Sequence, residues 1–367
     1  MAKARIELSD ADGNKVAEVT RPKRLVIRAP FGAMRAKCFV DLYQKDRSTP
    51  LQIAQECRVY VNEALKFRGR VVAVRRDTLG DELSFFAARE PESELNEGIS
   101  STYLDQSPTD VLAAILAGLE SSPLTWPGTH SVAYAIDRLT FVHYDLFFTI
   151  DLLAKLCGNF LWDIGWDNVL RFRPHTLAPE HVLYFDGRKT AFKVWRTCER
   201  IKNYFEFYGG VVDENQFRRV FSEGVSIEQY GPRRESLFVR PITTENAYGY
   251  LRSAVLEQAP WPVYEKYVDL FEEDLAIGFG DTLRLVGSDL CDFDEGHLFR
   301  VKMEEIVVTG EGRLSLRYHL ADLWESASRF LKYEDHEVGE PPGDYVARRI
   351  GSFQIDFSAL DSQAHLD

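Results

Sequence analysis

Five short segments in the first ninety residues constrain this chain most. Leu25-Val26-Ile27, Ala36 to Leu42, Cys57 to Asn62, Phe67 to Arg75 and Leu83 to Ala88 are rich in β-branched and aromatic residues. Gly and Asp separate them, as at Phe31-Gly32 and Leu79-Gly80-Asp81, which is the punctuation of strands joined by turns. Strand centres roughly ten residues apart suggest a small antiparallel barrel or sandwich. The polar stretch Arg89-Glu90-Pro91-Glu92-Ser93-Glu94 then closes a first domain, expected over residues 1–92.

The period changes in the next block, read as an α+β module over 95–177. Ser107-Pro108-Thr109-Asp110 is a helix start, with Ser at the N-cap, Pro at the first helical position and Asp in the first turn. Leu112, Ile115, Leu116 and Leu119 fall on one helical face. A second helix is predicted from about Asp145 through Leu156, ended by Gly158. Phe160 to Ile164, a turn at Gly165 to Asn168, and Val169 to Phe172 read as a hairpin.

Strands return in a third region, 178–335: Val182 to Phe185, Ile201 to Tyr208 ending at Gly209-Gly210, Ser236 to Arg240, Thr282 to Val286, His297 to Val308 and Leu314 to Leu320. One helix is predicted to interrupt them, Glu245 to Gln258, stopped by Pro260 and Pro262. Residues 336–367, with Gly339-Glu340-Pro341-Pro342-Gly343, read as a loosely ordered tail. Phe67-Arg68-Gly69-Arg70-Val71-Val72, Gly80 and Leu83-Ser84-Phe85 parallel Phe299-Arg300-Val301-Lys302, Gly312 and Leu314-Ser315-Leu316 with nearly equal spacing. That likeness favours two similar barrels. The expected class is therefore a β-rich α+β fold: two small antiparallel β-barrels plus α+β modules.

Charge and cysteine content exclude several functions. With 57 acidic and 44 basic residues the net charge is −13, which opposes nucleic-acid binding through a broad basic surface. The N-terminal Met1-Ala2-Lys3-Ala4-Arg5-Ile6-Glu7 has no apolar signal core, and no apolar run approaches a membrane span. Cys38, Cys57, Cys157, Cys198 and Cys291 are odd in number with no C-x-x-C pair, so buried free thiols in a reducing cytoplasm are expected.

The candidate chemical motifs fail on context. Gly278-Phe279-Gly280-Asp281-Thr282-Leu283 carries Leu where a dinucleotide fingerprint needs its third Gly, and it precedes a strand. A tight turn into that strand is the better reading. His336-Glu337-Val338-Gly339-Glu340 lacks the second His of a zinc helix. The acidic run Asp289, Asp292, Asp294, Glu295 meets Gly296 one position too early for a calcium loop. Asp163 and Asp167, flanked by Trp162 and Trp166, could form a glycosidase pair, but turn chemistry explains the same residues. No catalytic, cofactor-binding or metal-ligating residue is nominated.

The order of segments resembles the central hub proteins of phage baseplates and tail tips, including late-control tail proteins and the hubs of contractile injection systems. The carrying residues are Thr102-Tyr103-Leu104-Asp105-Gln106-Ser107-Pro108-Thr109-Asp110-Val111-Leu112, the helix ending at Cys157-Gly158 before Phe160 to Ile164, and Asn203 to Gly210. Ala247-Tyr248-Gly249-Tyr250-Leu251 through Pro260, and Leu275 to Gly280-Asp281-Thr282-Leu283, complete the set over roughly residues 100 to 320. Gly278-Phe279-Gly280-Asp281 replaces that family's commoner Pro-Gly-Asp turn, and the N-terminal barrel carries no sharp motif.

The resemblance implies a non-enzymatic virion protein, made in the bacterial host cytoplasm, without cofactor or membrane anchor. It implies a homotrimeric ring with two tube-subunit-like barrels per chain. That ring would join the hexameric tail tube, or a distal tail protein, to a threefold spike or tip protein, with the tape-measure protein as a further candidate partner. DNA would pass through without specific binding, and the acidic balance suits a channel wall that repels phosphate. The competing expectation is a polysaccharide-binding or -cleaving tail protein, with Trp126, Trp162, Trp166 and Trp261 as stacking platforms beside Asp163 and Asp167.

Overall fold

Alternation of buried and exposed side chains runs through the N-terminal strands and rolls them into a sheet. The computed structural model describes residues 2–30, 36–43, 49–76, 83–89, 98–119, 124–176, 178–184, 190–197, 201–270, 277–286 and 298–322. Seven strands come first: β1 (Ala4–Ser9), β2 (Lys15–Thr20), β3 (Arg24–Pro30), β4 (Lys37–Leu42), β5 (Glu56–Val61), β6 (Ala64–Arg76) and β7 (Leu83–Ala88). Ile6 and Leu8, Cys57, Val59 and Val61, and Leu83, Phe85 and Ala87 point inward. Their neighbours along each strand point out, as period two requires. The hydrogen-bonded order is β2-β1-β5-β6-β7-β4-β3, antiparallel throughout.

The α+β segment begins with β8 (Gly98–Gln106) and α1 (Pro108–Ala117). Ser107 caps α1 as its sequence predicts, accepting from the Asp110 N–H at 3.1 Å. β9 (Ile136–Asp145) pairs with β8 and runs directly into α2 (Leu146–Leu156), whose N-cap Asp145 accepts from the Phe148 N–H at 2.6 Å. α2 is buried nearly all round, so it serves as the central post of this region. Gly158 follows it at φ +78°, a left-handed position that favours Gly. β10 (Leu161–Ile164) and β11 (Leu170–Arg173) form the predicted hairpin.

A second half of the large sheet starts with β12 (His181–Tyr184) and β13 (Thr190–Thr197). An insertion follows: β14 (Tyr204–Val212), β15 (Asn215–Ser222), α3 (Gly224–Tyr230), β16 (Arg234–Phe238) and α4 (Glu245–Leu256). The half-sheet resumes with β17 (Val263–Leu270), β18 (Thr282–Val286), β19 (Leu298–Thr309) and β20 (Leu314–Asp322). The insertion packs its Phe205, Phe207, Leu237 and Tyr248 into the same apolar cluster as α1, α2 and β9. The two α+β pieces thus share one core, although they are far apart in the chain.

The second half-sheet repeats the first. Its order is β12-β18-β19-β20-β17-β13, and β3, β4, β5, β6 and β7 match β13, β17, β18, β19 and β20 in both chain order and neighbours. Even the rows across the strands correspond. Val71, Ala87, Cys38 and Ile27 lie side by side in one half, and Val301, Leu320, Lys266 and Val194 in the other. Immediately beyond Val71 and Val301 the long strand of each hairpin carries a one-residue bulge. The halves differ at their far edges: β1 is antiparallel to β5, whereas β12 is parallel to β18, and β2 has no counterpart among the described residues. Together the halves form one 13-stranded sheet in a strand-rich α+β fold. Among the described residues its hydrogen-bonded order is an open path, with no closed barrel.

Several expectations need correction. β1, β2, β8, β9, β13, β15 and β17 were not expected from residue content as separate strands, and β14 begins at Tyr204 rather than Ile201. Two helices, α3 and α4, interrupt the third region instead of one. The hairpin likeness is right in kind but slipped: Val301 matches Val71, so Phe299 matches Gly69 and not Phe67. A two-residue slip keeps every side chain on its face and leaves the hydrophobic pattern unchanged. The turns at 31–32 and 79–81, the boundary at 90–94 and the tail lie outside the described residues.

Candidate functional site

The distinctive geometry of this chain is the seam between its two half-sheets and the strand edges left open on either side. β19 pairs antiparallel with β3 from Met303 opposite Pro30 to Thr309 opposite Arg24. Arg28 Nε donates to Glu305 Oε2 at 2.6 Å across this seam. Lys66 of β6 reaches Glu304 at 3.3 Å, and burial raises the Glu304 carboxyl above its usual range although Lys66 opposes the shift.

The turn after β19 anchors the same seam. The Gly310 N–H donates to Lys23 O at 2.8 Å, and the Ala2 N–H donates to Gly312 O at 2.9 Å. One apolar cluster, from Ile6 and Leu25 to Tyr318 and Leu320, runs through both halves. The halves are therefore fused rather than merely adjacent.

Open edges flank this fused unit. β13 ends the hydrogen-bonded order, with β17 on one side and no described strand on the other. β6 is paired with β5 from Ala64 to Arg70 and with β7 from Arg70 to Arg76. Beyond the bulge, Ala73–Arg76 have a partner strand on one side only among the described residues. Unpaired strand edges are templates for another chain.

The sheet face away from the core carries alternating charge. Leu25 and Ile27 on β3, Cys38 and Val40 on β4, and Leu316 and Tyr318 on β20 are buried. Their neighbours Arg24, Arg28, Lys37, Asp41 and Arg317 therefore take the opposite face, with Glu305 and Asp269. Arg28 pairs with Glu305, and Arg317 grips Asp269 through two contacts at 2.5 and 3.0 Å. The acidic surplus of the chain is not concentrated on this part of the molecule.

The sequence motifs resolve as structural parts. Asp163 lies buried in the β10–β11 hairpin, 3.5 Å from Arg171, and burial raises its pKa to about 6. Asp167 accepts from the Val169 N–H at 3.2 Å and shapes the turn. The Trp162 indole is buried and donates to Asp151 Oδ1 at 3.2 Å. Trp126 packs edge-on against Phe172, and Trp166 lies against Phe67 with Arg89 over its ring. Of the four indoles only Trp261 is exposed, so they do not form a stacking platform beside the carboxylates.

The Gly278 to Asp281 segment is the tight turn that its context suggested. Gly280 has φ +82°, and Asp281 accepts from the Gly278 N–H at 2.7 Å while facing His181 at 3.1 Å. The 289–296 loop and the His336 segment lie outside the described residues. Cys38, Cys57 and Cys157 are buried free thiols. Among the described residues, no group of three or more His, Cys, Asp or Glu side chains could hold a metal ion, and no helix is long and apolar enough to cross a membrane.

No family model matches the chain, and no characterised protein matches its sequence. Solved structures do share its fold. The 43 kDa tail protein of prophage MuSo2 from Shewanella oneidensis superposes with a TM-score of 0.63 at 12% identity, covering 88% of this chain and 99% of that one. A tail protein from Neisseria meningitidis MC58 gives 0.63 at 11% identity, covering 88% and 98%. Prophage tail protein gp18 from Listeria monocytogenes EGD-e gives 0.52 at 12% identity, covering 86% and 94%. At these identities the likeness is one of fold, and it spans nearly the whole of each relative.

Proposed function

We propose that this chain is a structural protein of a phage tail or related injection machine, the central hub at the tip. Three copies form a ring in which each contributes two like half-sheets, giving six near-equivalent units. Such a ring joins a sixfold tail tube, or a distal tail protein, to a threefold spike or tip protein, and the tape-measure protein meets it from the tube side. The observation that carries this reading is the repeated strand order fused by the pairing of β3 with β19. Threefold assembly of a twofold-repeated chain is a simple way to match sixfold to threefold symmetry. The shared fold with prophage tail proteins supports the same reading.

No enzymatic step is assigned. The α+β region, with its single core around α2, serves as the rigid bracket that holds the ring's outer parts. DNA passes through the bore without specific binding. If the charged face described above lines that bore, its wall is charge-compensated by the Arg28–Glu305 and Arg317–Asp269 pairs rather than acidic, and paired charges hold phosphate weakly.

Imaging of assembled tails carrying this protein tests the reading. Three copies in one ring at the end of the tube are expected. A sixfold collar outside the tube, as for an outer distal ring subunit, or a position on a peripheral fibre overturns it.

A further inference from the structure

The fused seam inside one chain predicts the seam between chains. β19 pairs with β18 from Leu298 to Arg300 and, past its bulge, with β3 from Met303 onward. β6 pairs with β5 up to Arg70, then passes an equivalent bulge at Val71/Ala73, and its next residues meet no described strand on that side. The strand equivalent to β3 is β13, and its outer edge likewise meets no described strand. Each half-sheet therefore presents the half of an interface that the other half-sheet uses internally.

We propose that Ala73–Arg76 of β6 pair antiparallel with β13 of a second copy, in the register that β19 and β3 use within the chain. The register follows from the matched rows. Ile306 lies opposite Ile27, Ile306 is equivalent to Arg76, and Ile27 is equivalent to Val194. Arg76 then lies opposite Val194 of the second copy, Arg75 opposite Trp195, Val74 opposite Arg196 and Ala73 opposite Thr197. The Arg28–Glu305 ion pair has no like-for-like counterpart there. Its place in the register is taken by Arg75 and Trp195. The second seam thus sets different residues on the same backbone plan.

This inference rests on the ring reading, and its test is separate from the imaging of tails. The full chain carrying Val74→Cys with Arg196→Cys, treated with a short bismaleimide, is expected to give covalent dimers and trimers well above the level of the parent chain. The pair Val74→Cys with Trp195→Cys, displaced by one residue and so aimed at the opposite face, is expected to stay at the parent level.

Equal or greater cross-linking by the displaced pair, or none above the parent by the matched pair, overturns this seam. A threefold ring in the tail images with no matched cross-link would retain the hub and discard the seam. As a check free of substitution, concentrating the parent chain should slow amide exchange at Ala73–Arg76 and in Thr190–Thr197 by roughly tenfold. Unchanged exchange there at every concentration overturns the proposal as well.

Discussion

Arg28 and Glu305 stand 277 residues apart in the chain and face each other across the seam, with Arg28 Nε donating to Glu305 Oε2 at 2.6 Å. Their side chains are 39% and 17% exposed, so solvent screens part of the attraction. A double-mutant cycle with Arg28→Met and Glu305→Gln, read by urea unfolding, is expected to show a coupling of about 0.5–1.5 kcal/mol. The coupling should shrink in high salt. Strict additivity at low salt would show that backbone pairing and apolar burial alone hold the halves together.

Glycine substitutions should separate close backbone approach from helix propensity. A Cβ on Gly210 would sit 2.4 Å from Arg240 O, and one on Gly209 would sit 2.3 Å from Ile242 O. The double glycine therefore lets the chain after β16 lie directly against β14. Gly249, inside α4, has nothing within 4 Å of an added Cβ. Gly210→Ala is expected to destabilise by about 1–3 kcal/mol, and Gly249→Ala to stabilise by about 0.5–1 kcal/mol. Shifts of the same sign in thermal melts would contradict this account.

Much of the fold was legible because local chemistry and tertiary structure agree. Ser107, Pro108 and Asp110 marked the start of α1, and Leu83 to Ala88 marked β7 to the residue. The missed strand β1 was legible in principle. Arg5 and Glu7 drew the reading to the segment's lack of an apolar signal core, yet Ala4, Ile6 and Leu8 alternate with them and are buried. The insertion was harder to read. β15 is largely exposed and anchors to the core only through Phe217 and Phe221, two apolar positions too sparse to announce a strand. The seam was not legible at all, because Arg28 and Glu305 carry no local mark of being neighbours. The repeat could be seen, but its two-residue slip could not, since both registers bury the same face.

Trp162 tests whether the indoles serve packing or ligand binding. Its ring lies in the α+β core, and its N–H donates to buried Asp151 at 3.2 Å. Trp162→Phe keeps an aromatic ring and removes the donor, leaving a buried carboxylate short of a partner. The expected loss is about 1–3 kcal/mol in chemical denaturation. A variant as stable as the parent but altered in retention on an oligosaccharide column would revive the sugar-binding reading.

The acid limb of stability should reveal two buried groups acting in opposition. Asp163 is raised from 3.8 to about 6, chiefly by burial, with Arg171 and Arg173 opposing. Its native state therefore binds more protons than the unfolded chain between those values, and this contribution falls as pH rises through that window. His175 is lowered from 6.5 to about 3, first by burial and then by the Arg300 charge. Here the unfolded chain binds more protons, so stability rises with pH from about 3 to 6.5 and is lost on acidification. The two slopes partly cancel between about pH 4 and 6. Asp163→Asn removes one of them. The variant should be more stable than the parent by about 2 kcal/mol at pH 7.5, where the parent holds a buried carboxylate that Arg171 only partly offsets. Its stability should also climb more steeply from pH 4 to 6, because His175 then acts unopposed. Urea midpoints at four or five pH values decide the matter. If the Asn variant is weaker than the parent at pH 7.5, the Arg171–Asp163 pair outweighs desolvation and the hairpin is held by its charge.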